Sequence, residues 1–159
     1  MRVGIGYDSH RFAAGRPLVL GGVTIPHDRG LDGWSDADAV CHALIDAILG
    51  AAAQGDIGQM FPPDNAKWKD ASSLDLLRRA SIKVAELGYS LAHADVTVIA
   101  EEPKLAPYVD EMREKLAEAA IAGFSNLSVK AKSNEGMGFV GRGEGIAVIA
   151  VALLEESRT

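Results

Sequence analysis

The last strand of this sequence constrains the fold more than any other segment. The run GIAVIAVALL at residues 145–154 is apolar at nearly every position, so a strand there has two apolar faces. Strand and helix patterns alternate along the chain, which is typical of a two-layer α/β domain with helices packed on one face of a mixed sheet. Such helices leave the other face of the sheet apolar. We therefore predict that another copy of the chain covers it.

The predicted elements follow the order β-β-α-α-β-α-β-β in one domain, residues 1–159. Apolar runs bounded by turn residues predict strands at residues 1–9, 18–25, 92–100, 127–132 and 145–154. Helical spacing predicts helices over residues 37–53, 73–87 and from Pro107 to Gly123. We expect Ser35 or Asp36 to cap the first helix. Residues 54–72 contain two prolines and two glycines, and we predict a long loop there that could act as a lid.

Composition excludes several classes of protein. The net charge of −6 argues against general affinity for nucleic acid, which requires a basic face. The one cysteine, Cys41, lies in an apolar helical run, which predicts that it is buried. No apolar stretch reaches the roughly 18 residues that suggest a membrane span, so no membrane segment is expected. The first residues read as a strand without a signal peptide, and we expect a cytoplasmic protein.

A carboxylate and two histidines form a candidate metal site. Asp8 and His10 are two residues apart after the first strand, so they share a face if strand geometry continues. In the first helix, Asp38, His42 and Asp46 are spaced four apart and share one face. One of these helix carboxylates could orient the His42 ring toward a metal. An ordinary surface pair and a solvent-facing polar stripe are the alternatives, and spacing alone leaves them open.

A glycine-rich segment is the second candidate site. Residues 132–145, KSNEGMGFVGRGEG, contain five glycines, which let a backbone approach a ligand or another backbone closely. Arg142 lies between two of these glycines and suits an anion. Neither a phosphate-binding loop nor a dinucleotide fingerprint is present. The segments GDIG at 55–58 and AEEPKLAPY at 100–108 could bind ligands through their backbone or be plain connections.

Five segments together resemble the 2-C-methyl-D-erythritol 2,4-cyclodiphosphate synthase family of the non-mevalonate isoprenoid pathway: GYDSHRF, SDADAVCHALIDAILGAAAQGDIG, FPP, AEEPKLAPY and GFVGRGEGIA. The resemblance covers essentially the whole chain. It implies a phosphorus–oxygen lyase that cyclises 4-diphosphocytidyl-2-C-methyl-D-erythritol 2-phosphate and releases CMP. It also implies a homotrimer with active sites between subunits and three sheets packed around the trimer axis.

The resemblance also assigns roles to individual residues. Asp8, His10 and His42 would bind one Zn²⁺ per subunit, and Glu135 a second divalent cation, Mg²⁺ or Mn²⁺. Trp34 and Ser133 would lie in catalytic positions beside the phosphates. The residues implied to contact substrate are Asp8, Ser9, His10, Trp34, Ser35, Asp56, Ile57, Gly58, Phe61, Pro62, Pro63, Asp64, Asn65, Ala100, Glu101, Glu102, Pro103, Lys104, Leu105, Ala106, Lys132, Ser133, Asn134, Glu135, Phe139 and Arg142.

Two of these regions have special roles in the resemblance. Residues 100–106 of a neighbouring subunit would hold the cytosine. Phe139 and Arg142 would line a cavity on the trimer axis, where an isoprenoid diphosphate could bind. A non-catalytic trimer that binds such a diphosphate is therefore one alternative function. A metal phosphohydrolase that releases CMP without cyclising the substrate is another.

The chain departs from the family pattern at two places. Trp34 stands where the family has histidine, and FPPDN replaces the usual FPDTD at residues 61–65. The second change moves a carboxylate from position 63 to 64 and removes the one at 65. Because an indole carries one donor and no charge, we hypothesise that Lys132 supplies the missing positive charge to the phosphates. The alternative is that Trp34 packs under the loop and Lys132 points to solvent.

Overall fold

A five-stranded mixed sheet forms one layer of the computed structural model, which describes residues 1–157. Its strands are β1 (Arg2–Ala13), β4 (Gly30–Leu31), β5 (Tyr89–Ile99), β6 (Leu127–Lys132) and β7 (Gly145–Glu156). They lie in the order β4-β1-β7-β5-β6, with β5 and β6 parallel and the other neighbours antiparallel. A separate hairpin is formed by β2 (Leu18–Leu20) and β3 (Val23–Ile25).

Helices cover one face of this sheet. The longer ones are α1 (Ala39–Ala51), α3 (Ser73–Glu86) and α4 (Val109–Ala119), and the short ones are α2 (Ile57–Met60) and α5 (Gly138–Gly141). Helix α1 packs directly on β1 at Gly4 and Gly6, where an added Cβ would lie 2.1 Å and 1.9 Å from carbonyl oxygens of α1. The absence of side chains at these two positions therefore lets the backbone of α1 at Ala43 and Ala47 lie directly on the first half of β1.

The opposite face of the sheet is apolar and exposed. Ile5 is 71% exposed and Val151, its partner across the β1–β7 ladder, is 40% exposed. Tyr7 and Ile149 form the next exposed pair on this face. The predicted fold class, a mixed sheet with helices on one face, is confirmed. Coverage of the other face by further copies of the chain stays a prediction.

Several predicted boundaries were wrong for identifiable reasons. The strand predicted at 18–25 is the β2–β3 hairpin, because Gly21 and Gly22 adopt positive φ angles of 58° and 76° and turn the chain. The loop predicted at 54–72 contains α2 and a 3₁₀ turn at Ala66–Trp68. The third predicted helix is shorter, because a separate 3₁₀ turn at Ala106–Tyr108 precedes α4.

The predicted cap of the first helix was also wrong. Asp38 is the N-cap of α1, and its carboxylate accepts hydrogen bonds from the backbone N–H groups of Val40 and Cys41. Cys41 is fully buried, which confirms that prediction. In the part of the chain that the structure describes, no helix has the length and apolar character to cross a membrane.

Candidate metal centre

Asp8, His10 and His42 converge where α1 packs on β1. Asp8 Oδ2 lies 2.8 Å from His10 Nε2 and 3.3 Å from His42 Nδ1. The two ring nitrogens are 3.3 Å apart. Asp8 and His10 share a face because β1 continues as a strand to Ala13. His42 reaches them because the first turns of α1 lie directly on that face. The alternatives of a surface pair and a solvent-facing stripe are therefore wrong.

The hydrogen-bond partner of His10 determines which of its nitrogens is available to a metal. His10 Nδ1–H donates to the carbonyl oxygen of Asp32 at 2.6 Å. A carbonyl only accepts, so the proton of the neutral ring is on Nδ1, and Nε2 of that neutral ring presents a lone pair to Asp8. Asp8 Oδ2 is buried and has no hydrogen-bond partner among residues 1–157. Two facing lone pairs of this kind are stabilised either by a proton on Nε2 or by a metal ion bound to both atoms.

The donor set of the cluster fits zinc. The three candidate ligand atoms lie within 4.8 Å of one another. One carboxylate and two imidazoles are typical of zinc sites that keep a fourth position for water or substrate. Such a site is consistent with Asp8 Oδ2, which is buried without a hydrogen-bond partner in the described chain, and with the lone pair that His10 Nε2 directs toward it. The residues therefore fit a resident Zn²⁺.

Charge within the cluster shifts two pKa values in opposite directions. Burial raises the pKa of Asp8, but its contacts with His10 and His42 outweigh burial, so the pKa lies below its ordinary value. Burial lowers the pKa of His10, but the Asp8 carboxylate outweighs burial, so the pKa lies above its ordinary value. A metal ion at this position therefore competes with a proton on His10.

The prediction that Asp38 or Asp46 orients His42 was wrong. The Asp38 carboxylate is fully buried and accepts from the backbone N–H groups of Gly21 and Gly22 at 2.8 Å and 2.7 Å, in addition to capping α1. Asp46 Oδ1 accepts from the backbone N–H of Ile57 at 2.8 Å, which ties α1 to α2. Helical spacing puts both carboxylates on the same helix face as His42. In the folded chain, however, each accepts hydrogen bonds from backbone N–H groups of other segments instead of from His42.

An apolar cavity of about 200 Å³ adjoins the cluster. Sequence-predicted residues that line it are His10, Trp34, Ser35, His42, Ile57, Gly58, Phe61 and Pro63. Trp68 and Leu76 line it as well, although neither was predicted. Trp68 packs edge-on against Phe61 with ring centroids 5.0 Å apart. No spacing signal marks these two residues, because the folding of residues 61–76 over the cluster brings them there.

The sequence of this chain is similar to those of known proteins. The sequence model of the YgbB family matches residues 1–155. The chain belongs to the YgbB family. A 2-C-methyl-D-erythritol 2,4-cyclodiphosphate synthase of Moorella thermoacetica is 58% identical over 154 residues, 97% of this chain and 94% of that protein. The protein of the same name in Salinibacter ruber is 54% identical over 157 residues, 99% of this chain and 100% of that protein.

Solved structures of YgbB-family relatives share the fold. The bifunctional IspDF of Campylobacter jejuni aligns with a TM-score of 0.94 at 41% identity, and the match covers 98% of this chain and 42% of that protein. IspF of Plasmodium falciparum in complex with CDP aligns with a TM-score of 0.86 at 31% identity, covering 99% and 97% of the two chains. The family resemblance inferred from the motifs is thereby confirmed.

Trp34 lies beside the metal-binding cluster, in the wall of the apolar cavity. Its indole Nε1–H donates to the carbonyl oxygen of Asn65 at 3.4 Å, and the residue is 43% exposed. Trp34 therefore joins the cavity wall to the segment 61–65. Lys132 is exposed at the end of β6. The compensation of Trp34 by Lys132 stays a prediction.

The residues that follow β6 are hydrogen-bonded to Glu101, which belongs to the segment 100–106 that is predicted to bind cytosine. Glu101 Oε1 accepts from the backbone N–H groups of Asn134 and Gly136 at 2.8 Å and 3.2 Å. Ser133 Oγ–H donates to Glu135 Oε1 at 3.4 Å. Among the described residues, the metal-binding cluster does not include Glu135. Its role toward a second cation stays a prediction.

Other predicted contact residues are not themselves members of the metal-binding cluster. Asp56 caps α2, accepting from the backbone N–H of Gln59 at 2.9 Å. Leu105 packs its side chain into the core, so only its backbone is available to a ligand. Ser9 and Phe139 line an open cavity of about 580 Å³ together with His10, so this cavity borders the metal-binding cluster. Arg142 Nη2 lies 2.8 Å from Glu144 Oε2, so this guanidinium is already paired.

Proposed function

We propose that this chain is a metal-dependent synthase that converts 4-diphosphocytidyl-2-C-methyl-D-erythritol 2-phosphate to 2-C-methyl-D-erythritol 2,4-cyclodiphosphate and CMP, in isoprenoid precursor biosynthesis in the cytoplasm. The observation that carries the proposal is the Asp8–His10–His42 cluster beside an apolar cavity in a chain 58% identical to a synthase of that name. A trimer that only binds diphosphates would not need these ligands, which argues against that alternative.

The reaction requires positioning more than acid–base chemistry. An oxygen of the 2-phosphate attacks the β-phosphorus, the bond from that phosphorus to the oxygen shared with the α-phosphate breaks, and CMP leaves. The attacking phosphate is already ionised, so no side-chain base is needed. Zinc held by Asp8, His10 and His42 would supply a Lewis acid that screens the charges of the phosphates. Trp34 and Phe61 would exclude water, which otherwise competes with ring closure.

The remaining parts of the site are proposed from the resemblance. Trp34 and Ser133 would contact the reacting phosphates, and Glu135 would hold Mg²⁺ or Mn²⁺ near them. Residues 100–106 of a neighbouring subunit would bind cytosine, which agrees with relatives whose structures contain CDP. The exposed apolar sheet face would be buried in a homotrimer. Phe139 and Arg142 would lie near its axis, where an isoprenoid diphosphate could displace Glu144 from Arg142.

A substrate that lacks the 2-phosphate separates synthase from hydrolase. The zinc-loaded protein with Mg²⁺ is expected to release CMP from 4-diphosphocytidyl-2-C-methyl-D-erythritol 2-phosphate. From the same compound without the 2-phosphate, it is expected to release at least about a hundredfold less, because the internal nucleophile is missing. CMP is quantified by chromatography. Comparable release from both compounds would identify water as the nucleophile and contradict the proposed synthase.

A further inference from the structure

The His42 ring contacts a serine and an aspartate on its side away from Asp8. His42 Nε2 lies 2.9 Å from Ser73 Oγ, at the start of α3. The Ser73 hydroxyl donates to Asp36 Oδ1, and the backbone N–H of Ser73 donates to Asp36 Oδ2 at 2.9 Å. Ser73 is fully buried and His42 is 9% exposed. The three side chains thus form a chain of contacts that runs from the buried His42 and Ser73 to the half-buried Asp36.

The direction of each hydrogen bond in this chain follows from the chemistry of its groups. An ionised carboxylate only accepts, so the single hydroxyl hydrogen of Ser73 is committed to Asp36. Ser73 Oγ can then offer only a lone pair to His42. The proton of the neutral imidazole therefore lies on Nε2, and Nδ1 presents its lone pair toward Asp8 and His10. This is the tautomer that a metal requires at Nδ1.

Ser35 does not determine which nitrogen of His42 carries the proton, although its hydroxyl is also near the ring. Ser35 Oγ lies 3.1 Å from His42 Nε2 and accepts from the backbone N–H of Ala37 at 3.3 Å. Its hydroxyl hydrogen has no acidic acceptor comparable to Asp36 and is free to donate to Nε2. With Ser35 as the only partner, the ring could hold its proton on either nitrogen. The contact with Ser73 is therefore what restricts the proton of the neutral His42 ring to Nε2.

We propose that Ser73, held by Asp36, is a positioning residue that fixes the metal-binding tautomer and orientation of His42. The backbone around it fixes Asp36 and Ser73 relative to each other: Asp36 N–H donates to the Ala71 carbonyl at 3.2 Å and Asp70 N–H donates to the Trp34 carbonyl at 3.0 Å. The proposal rests on the metal cluster within the proposed function but not on the identity of the substrate. Outer partners of this kind typically contribute about 10- to 100-fold in metal affinity.

Ser73→Ala and Ser81→Ala form a matched pair for the test. Both serines are buried on α3, but the hydroxyl of Ser81 has no hydrogen-bond partner among residues 1–157. Zn²⁺ affinity is measured on metal-free full-length protein by competition with a chromogenic chelator. We expect Ser73→Ala to bind Zn²⁺ about 10- to 100-fold more weakly than the parent and Ser81→Ala to bind within about twofold of it. Unchanged affinity in Ser73→Ala, or equal weakening in both variants, would overturn the proposal.

A second variant and a spectroscopic measurement separate orientation from simple packing. In Asp36→Asn the side-chain amide can donate to Ser73 Oγ, which frees the serine hydrogen for His42 Nε2 and favours the wrong tautomer. Long-range ¹H–¹⁵N NMR of the metal-free proteins reports which ring nitrogen of His42 is protonated. We expect the proton on Nε2 in the parent and in Ser81→Ala, and a mixture in Ser73→Ala and Asp36→Asn. The same Nε2 proton in all four proteins would refute the role of Ser73, whatever the substrate proves to be.

Discussion

Asp8→Ala is expected to lose both bound zinc and CMP release while keeping the fold. Asp8 supplies the only carboxylate of the cluster, and no backbone N–H of the described chain donates to its buried Oδ2, so its removal takes away the ligand without breaking a backbone hydrogen bond. Loss of a direct ligand should exceed the roughly hundredfold effect of losing an outer partner. Zinc per chain is measured by elemental analysis after dialysis, and turnover by CMP release.

Asp28→Ala is the matched control for this variant. The Asp28 carboxylate is also close to a histidine, 3.2 Å from His27 Nε2, but 79% of its side chain is exposed and it lies outside the cluster. It should retain one zinc per chain and parental turnover. Full zinc content in Asp8→Ala would show that the ion binds elsewhere and would remove the basis of the candidate metal centre.

Ile5→Lys is expected to convert a trimer into monomers and to abolish turnover. Ile5 lies at the centre of the exposed apolar sheet face, opposite Val151. A lysine there would bury an unpaired charge in the proposed interface, at a cost of several kcal/mol per subunit. Light scattering after size exclusion should give about three times the chain mass of 16.7 kDa for the parent and the chain mass for the variant. Turnover should be lost because, in the proposed trimer, residues 100–106 of a neighbouring subunit complete the site.

Ile82→Lys provides the control for the interface. Ile82 lies on α3 and is 42% exposed on the helix layer rather than on the sheet face. We expect this variant to remain trimeric and active. A parent that is monomeric at micromolar concentration, or a trimer that survives Ile5→Lys, would contradict the proposed interface.

Periodicity predicted the layers of the fold but not the partners of individual side chains. The alternation in β1 correctly placed Asp8 and His10 on one face. The four-residue spacing in α1 suggested that Asp38 acts on His42, whereas Asp38 binds the turn at Gly21 and Gly22. A helix pattern shows which residues share a face and does not show which backbone packs against that face. The Asp38 contact is therefore a tertiary effect that sequence spacing does not contain.

The contacts of Ser73 with His42 and Asp36 could not be predicted from the sequence, for a similar reason. Ser73 lies 31 residues from His42 and 37 from Asp36, and no periodic pattern joins positions so far apart. Trp68 reached the cavity wall through the 3₁₀ turn inside a segment predicted to be a loop. The metal ligands themselves were predicted because the family resemblance identified them, while spacing left them as one of several possibilities.

Phosphorus NMR of the reaction products tests the central claim most directly. The cyclic diphosphate contains a new P–O–P linkage between the 2-phosphate and the former β-phosphate, so a synthase should yield two mutually coupled phosphorus signals, together with the signal of CMP. Hydrolysis at the β-phosphorus would instead leave two separate phosphate monoesters without that coupling. We predict the coupled pair as the main product of the zinc-loaded parent and its loss in Asp8→Ala. Uncoupled monoester signals from the parent would show that the chain hydrolyses this substrate, and would contradict its proposed role as a cyclodiphosphate synthase.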